Sequence, residues 1–107
     1  MEEKIRFGSL FDFYGELLGE QQRRICEATL LEDLSLSEIA SELGMSRQGV
    51  HAHLMRGEKA LEEYESRLHL YEKFLRIEEL VRQIETEAGE QGLTSIADLS
   101  RQIMEEL

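Results

Sequence analysis

The sequence predicts an all-α protein, a helix-turn-helix bundle that carries a long C-terminal helix extension. Three observations predict it. The 107 residues contain no proline and no run that alternates apolar and polar residues as a half-buried strand does. Glu, Leu, Ala, Gln and Arg, all strong helix formers, abound. The stretch Ser35 to Lys59, SLSEIASELGMSRQGVHAHLMRGEK, carries start and stop signals for two helices in immediate succession.

The rest of the chain is organised around that stretch. Ser35 can cap the first of its helices, with Glu38 three positions on closing a capping box. Ile39, Ala40 and Leu43 form one apolar face at helical spacing. Gly44 stops the helix, because glycine enters the left-handed region without steric penalty. Ser46 caps the next helix only two residues later. So short a connection forces the helices to cross and share a core, with Met45, Val50 and Leu54 on the second side. A helix in that second position can enter a DNA major groove.

Two helices are expected before it. The first runs from near Lys4 or Arg6 to Leu18, with Phe7, Leu10, Phe11, Tyr14, Leu17 and Leu18 on a broad apolar face. These aromatics read as core, since stacking platforms for bases come interleaved with cations and only Lys4 and Arg6 flank them. Gly19 breaks that helix. The second runs from Glu20 to about Leu31 with Ile25, Ala28 and Leu31 inward, and Glu32-Asp33 makes the link onward. Arg23-Arg24 is the one adjacent cation pair, read as a solvated face with phosphate contact as the alternative.

Beyond Val50 the apolar or small positions Leu54, Gly57, Leu61, Tyr64, Leu68, Tyr71 and Leu75 alternate steps of four and three, a heptad pattern. A second stripe, Leu70, Phe74, Ile77, Val81, Ile84 and Ala88, then takes over. One helix from Ser46 to near Ala88 would span about 60 Å, longer than the small bundle can cover. The expectation is a long helix that builds a homodimer through Leu61, Tyr64, Leu68, Tyr71 and Leu75; a break near His69 to Glu72 in a monomer is the alternative. Gly89 and Gly92 bracket a loop, and Thr94 or Ser95 caps a last helix with Ile96, Leu99, Ile103 and Leu107 on one face. The domain division expected is residues 1–60 for the helix-turn-helix domain and 61–107 for the extension and dimerisation element.

The net charge of −11 constrains partners. Residues 1–45 hold four cations against ten acids, and residues 46–107 eight against thirteen, so neither half is basic. Affinity for nucleic acid comes from cations that displace counterions, so such a site must be a local patch. If the second helix of the motif reads DNA, its outward residues are Ser46, Arg47, Gln48, His51, Ala52 and Met55, with Arg56 and Lys59 on the backbone. Ser46 offers donors to phosphate, Arg47 suits guanine and Gln48 adenine. Capping and solvation account for the same residues equally well, and the acidic balance suits a protein-binding module.

Other chemistries find little support. His51 and His53 point about 200° apart on a helix, so they cannot share a metal. Cys26 is the only cysteine and forms neither an internal disulfide nor a thiolate site. No nucleophile elbow or phosphate-binding glycine loop occurs, so neither an enzyme nor a cofactor is expected. There is no apolar run near 18 residues and no cationic, apolar leader at MEEKIRFG, which reads as cytoplasmic without membrane insertion.

Several segments together resemble a known family. Leu10-Phe11-Asp12-Phe13-Tyr14, Gln21-Gln22-Arg23, Ser35-Leu36-Ser37-Glu38-Ile39-Ala40, Ser46-Arg47-Gln48-Gly49-Val50 and Leu61-Glu62-Glu63-Tyr64-Glu65 are similar to the YlxM family of small bacterial helix-turn-helix proteins, over roughly residues 7–80. The resemblance implies a motif like the last region of bacterial sigma factors, which binds promoter DNA. It also implies a regulatory role beside the signal recognition particle, whose genes neighbour those of the family. Under it, DNA is the leading partner, with the particle RNA or its GTPase as alternatives. The chain departs from the family pattern at Gly49, where Ala is common, and at His51-Ala52-His53. His53 stands where sigma-type motifs carry an apolar core residue, and Leu54 is expected to take over its packing.

Overall fold

The computed structural model describes residues 2–107. Helices α1 (Glu2–Tyr14), α2 (Glu20–Leu30), α3 (Leu36–Leu43), α4 (Arg47–Leu68), α5 (Leu70–Glu90) and α6 (Thr94–Glu106) follow one another, with a single 3-10 turn at Gly15–Leu17 after α1. No strand occurs among the described residues, so the all-α expectation holds. The chain divides into a unit that ends at His69 and a unit from Leu70 to Leu107. The boundary expected after residue 60 therefore falls inside α4.

In the first unit α4 is the spine on which α1, α2 and α3 pack. The core combines Phe7, Leu10 and Tyr14 with Leu18, then Ile25, Cys26 and Ala28 of α2, Ile39 and Ala40 of α3, and Val50, Leu54 and Leu61 of α4. Phe7, Leu10 and Tyr14 step by three and four, and Val50, Leu54 and Leu61 by four and seven, which puts each of these sets on one side of its helix. Burying each large apolar side chain contributes about 1.5–3 kcal/mol. A polar seam joins α1 to α4. The Tyr14 hydroxyl donates to Glu65 Oε1 at 2.6 Å inside the core, and Arg6 donates to both Glu62 oxygens at 2.7 and 2.8 Å. The Tyr64 ring lies 6.0 Å from that of Tyr14.

Three local expectations are corrected here. The first helix ends at Tyr14 rather than Leu18, and the chain tightens into the 3-10 turn where the Phe11 ring crosses Gly15; a Cβ there would stand 2.9 Å from the ring. The tighter winding turns Leu17 outward, 55% exposed, while Leu18 stays buried. Leu31 is 69% exposed, because α2 stops at Leu30 and Leu31 is its C-terminal cap; the buried residues of α2 are Ile25, Cys26 and Ala28.

The continuous helix expected from Ser46 to near Ala88 does not form. α4 ends at Leu68, and His69 takes a left-handed conformation (φ 55°, ψ 29°) with its N–H on Glu65 O at 2.8 Å. Few non-glycine residues adopt that region, with His among the enriched ones. The heptad stripe is divided accordingly. Leu61 is completely buried as core, Tyr64 and Tyr71 are half-buried, and Leu68 and Leu75 are exposed.

In the second unit α5 and α6 form an antiparallel hairpin about a short turn. Gly92 has φ 69°, and the Leu93 N–H returns to Ala88 O at 2.8 Å. Gly89 lies within the last turn of α5 rather than in the loop, and neither Thr94 nor Ser95 caps α6: Leu93 occupies the cap position without a side-chain bond. The seam is made by Val81, Ala88, Ala97 and Ser100. Ile96, Leu99, Ile103 and Leu107, expected to fill the inner face, are 42–57% exposed, because the small residues beside them let the two helices approach closely. Arg101 Nε donates to Glu85 at 3.1 Å across the hairpin and also pairs with Asp98. Among the described residues no helix is long and apolar enough to cross a membrane.

Candidate nucleic-acid interface

The helix-turn-helix forms as its capping residues dictate. Ser35 Oγ accepts from Glu38 N at 3.1 Å while the Glu38 carboxylate accepts from Ser35 N at 3.0 Å, a closed capping box. Those bonds, the backbone one foremost, hold the Glu38 carboxyl below its ordinary pKa. Gly44 is left-handed (φ 66°), and the Met45 N–H bonds Ala40 O at 3.0 Å. Ser46 Oγ accepts from Gly49 N at 2.9 Å and starts α4. A Cβ at Gly49 would stand 3.0 Å from that hydroxyl, so the alanine common in the resembled family would press on this cap.

The candidate readers lie at the start of α4. Ser46, Arg47, Gln48, His51, Met55, Arg56 and Lys59 are exposed and Ala52 is half-buried. At 3.6 residues per turn, Gln48, Ala52, Met55 and Lys59 stack along one outward line, with Arg47 and His51 to one side and Arg56 to the other. Leu54 is buried and His53 only partly so, which settles the packing question raised by the sequence. His53 instead meets the Arg56 guanidinium through Nδ1 at 3.3 Å.

Electrostatics favours this end of α4 more than the net charge suggests. Arg24 of α2 bridges Glu32 and Glu42, so the α3 acid closest in sequence to the start of α4 is paired. This raises the Arg24 pKa and, through the side-chain hydrogen bond, lowers that of Glu32. Arg24 is thus neither a free solvated cation nor available to phosphate, as the sequence reading had it. Arg47 and Lys59 make no ion pair among the described residues. The Ser46 cap leaves further N–H groups at a helix start, where partial positive charge favours anions.

Two supporting features escaped the sequence reading. Gly57, which looked like the weak member of a heptad, sits where α2 crosses α4: a Cβ would stand 2.9 Å from Cys26 Sγ. Burial first, then the neighbouring Glu58 charge, pushes the Cys26 thiol up to about 11. Gln21 reaches from α2 to the turn, its Nε2 lying 3.3 Å from Met45 Sδ. A glycine held inside a helix against its propensity was the one signal in the sequence for the first; nothing in the sequence signals the second.

Comparison with known proteins agrees with this architecture. Residues 1–100 match the family described as "Putative helix-turn-helix protein, YlxM / p13 like". The chain is 41% identical over 92 residues to a UPF0122 protein of Halalkalibacterium halodurans, covering 86% of this chain and 84% of that one. It is 49% identical over 74 residues to one from Shouchella clausii, covering 69% and 68%, and 39% identical over 84 residues to one from Streptococcus gordonii, covering 78% and 76%. With residues 1–100 matched and a relative 41% identical over 86% of its length, the chain belongs to the UPF0122 family of YlxM/p13-like helix-turn-helix proteins.

Proposed function

We propose that this protein is a cytoplasmic regulatory protein that binds nucleic acid, DNA foremost, through the first turns of α4, and that it acts as a homodimer. The observation that carries the reading is the exposed start of α4, with Arg47, Gln48 and His51 beside a serine-capped terminus and the α3 acid closest to it in sequence tied to Arg24. Arg47 and Gln48 supply base-edge chemistry, while Ser46, Arg56 and Lys59 supply phosphate contacts. The family resemblance supports a place in the signal recognition particle pathway, with the particle RNA as a second nucleic-acid candidate.

The test is fluorescence anisotropy of the purified protein with genomic duplex fragments, including its own upstream region, and with the particle RNA across a salt series. The two phosphate-contacting cations of each copy, Arg56 and Lys59, imply a log–log salt slope of about −1.8 for one copy on duplex DNA. Arg47→Ala then weakens binding and relaxes preference at one base pair. Absence of binding to every probe at low salt ends the reading. A second reading draws on the net charge of −11: the same unit binds the particle's GTPase as an acidic protein module. Retention of that GTPase by wild type and by Arg47→Ala alike, without nucleic-acid binding, would favour it.

A further inference from the structure

The hairpin of α5 and α6 leaves a two-helix face bare. Its 38 residues from Leu70 to Leu107 bury only Val81, Ala88, Ala97 and Ser100 fully, below the size at which a domain encloses its own core. Around Val81, the residues at −4, −1 and +3 are Ile77, Leu80 and Ile84. Around Ser100, the same offsets give Ile96, Leu99 and Ile103. All six are 42–57% exposed. An antiparallel helix pair has a local two-fold normal to the plane of its axes, so equal offsets from the seam fall on the same side. The six side chains therefore form one apolar face across both helices. The heptad stripe Leu61 to Leu75 forms no comparable face, because its first member is core.

We propose that this face is covered by the same face of a second copy, so that two hairpins close a four-helix bundle. The inference rests on the homodimer reading above and assigns its surface. Identical offsets on both helices make the face self-complementary under a two-fold axis, as an isologous interface requires. Its exposed apolar area is roughly 500 Å² per copy, at the upper end of what a monomer shows. It is also the size of the apolar share of an interface of about 800 Å² per partner. The edges are complementary too. Arg76 borders the face on α5 and Glu106 borders it on α6, while Glu87, two residues beyond the Glu85–Arg101 pair, falls between the levels of Ser95 and Gln102. A two-fold that lays α5 over the partner's α6 sets unlike or neutral groups together along both edges.

The test uses the full chain. Light scattering on wild type at micromolar concentration should give about twice the 12.4 kDa chain mass. Leu99→Lys carries the decisive comparison, because that side chain is 57% exposed and lies outside the α5–α6 seam. It should keep the wild-type helical circular dichroism and weaken dimerisation about thirtyfold or more, as loss of a buried anchor does. Ile77→Lys, on the other helix, should do the same. Leu68→Lys with Leu75→Lys, on the heptad stripe, should leave the dimer intact. A wild-type monomer at these concentrations overturns the homodimer reading and this inference together. A wild-type dimer that survives Leu99→Lys and Ile77→Lys, or that is lost with Leu68→Lys and Leu75→Lys, overturns this face alone.

Discussion

Replacing Gly57 by alanine sets two known effects against each other at one atom. In an exposed helix the change would stabilise by about 1 kcal/mol through propensity. Here the new methyl would stand 2.9 Å from Cys26 Sγ, inside contact distance, with Gln22 Cβ and Leu18 Cδ1 next at 3.9 and 4.0 Å. Cys26 is fully buried. Overpacking of this kind costs about 1–3 kcal/mol. The expected net effect is a loss of about 1 kcal/mol, a fall in melting temperature of about 4–8 °C for a unit of this size. Removing the sulfur should reverse the sign. In a Cys26→Ala background, Gly57→Ala should stabilise, giving a coupling of about 2 kcal/mol in the double-mutant cycle. Urea denaturation of the four proteins, followed by far-ultraviolet circular dichroism, measures every corner. Additive single effects, or stabilisation by Gly57→Ala alone, would refute the close α2–α4 crossing.

Other consequences can be measured alongside. Tyr14→Phe removes the donor on Glu65 Oε1 inside the core, and should cost about 1–3 kcal/mol in the same denaturation assay. The Arg6 hydrogen bonds lower the Glu62 pKa from 4.5. A carboxylate depressed on folding stabilises above its unfolded pKa, and that stability is lost as pH falls through the folded value. The pair is about half exposed, so the effect stays under about 1 kcal/mol. Wild type should therefore lose its advantage over Glu62→Gln between pH 5 and more acidic solution in urea titrations. With its thiol pushed up to about 11 and buried, Cys26 should resist a thiol reagent at pH 8 and react on addition of urea. Rapid labelling in the native protein would contradict its place in the core.

What could be read in advance was local. Ser35, Glu38, Gly44 and Ser46 act on atoms at most four residues away, so their chemistry is the same in the sequence as in the fold. The candidate readers follow directly, because Ser46 sets the phase of α4 and with it which side chains face out. The sequence was less informative where tertiary packing decides between equivalent apolar stripes. Leu61 and Leu68 share a heptad stripe, yet one is core and the other exposed, because the α1–α4 packing ends between them. On α6, Ala97 and Ser100 take the inner side over Ile96 and Ile103, since closeness of helices favours small residues over hydrophobicity. His69 carries the break between α4 and α5 without glycine or proline to mark it. Arg24 looked like half of a solvated pair, and its role depends on Glu42, eighteen residues away.

The turn between α3 and α4 bears on binding in another way. Only Gly44, Met45 and Ser46 separate the two helices, and each is held: Gly44 by its left-handed backbone, Met45 by Ala40 and Gln21, and Ser46 by the Gly49 N–H. The start of α4 therefore has little slack to lose. A partner that meets it need not freeze the loop or select a rare conformer, so little conformational entropy is subtracted from whatever contacts form. Discrimination between partners then depends on fit to a fixed surface. Softening the hinge, for instance by Gln21→Ala, should lower affinity even though Gln21 is not among the proposed contact residues.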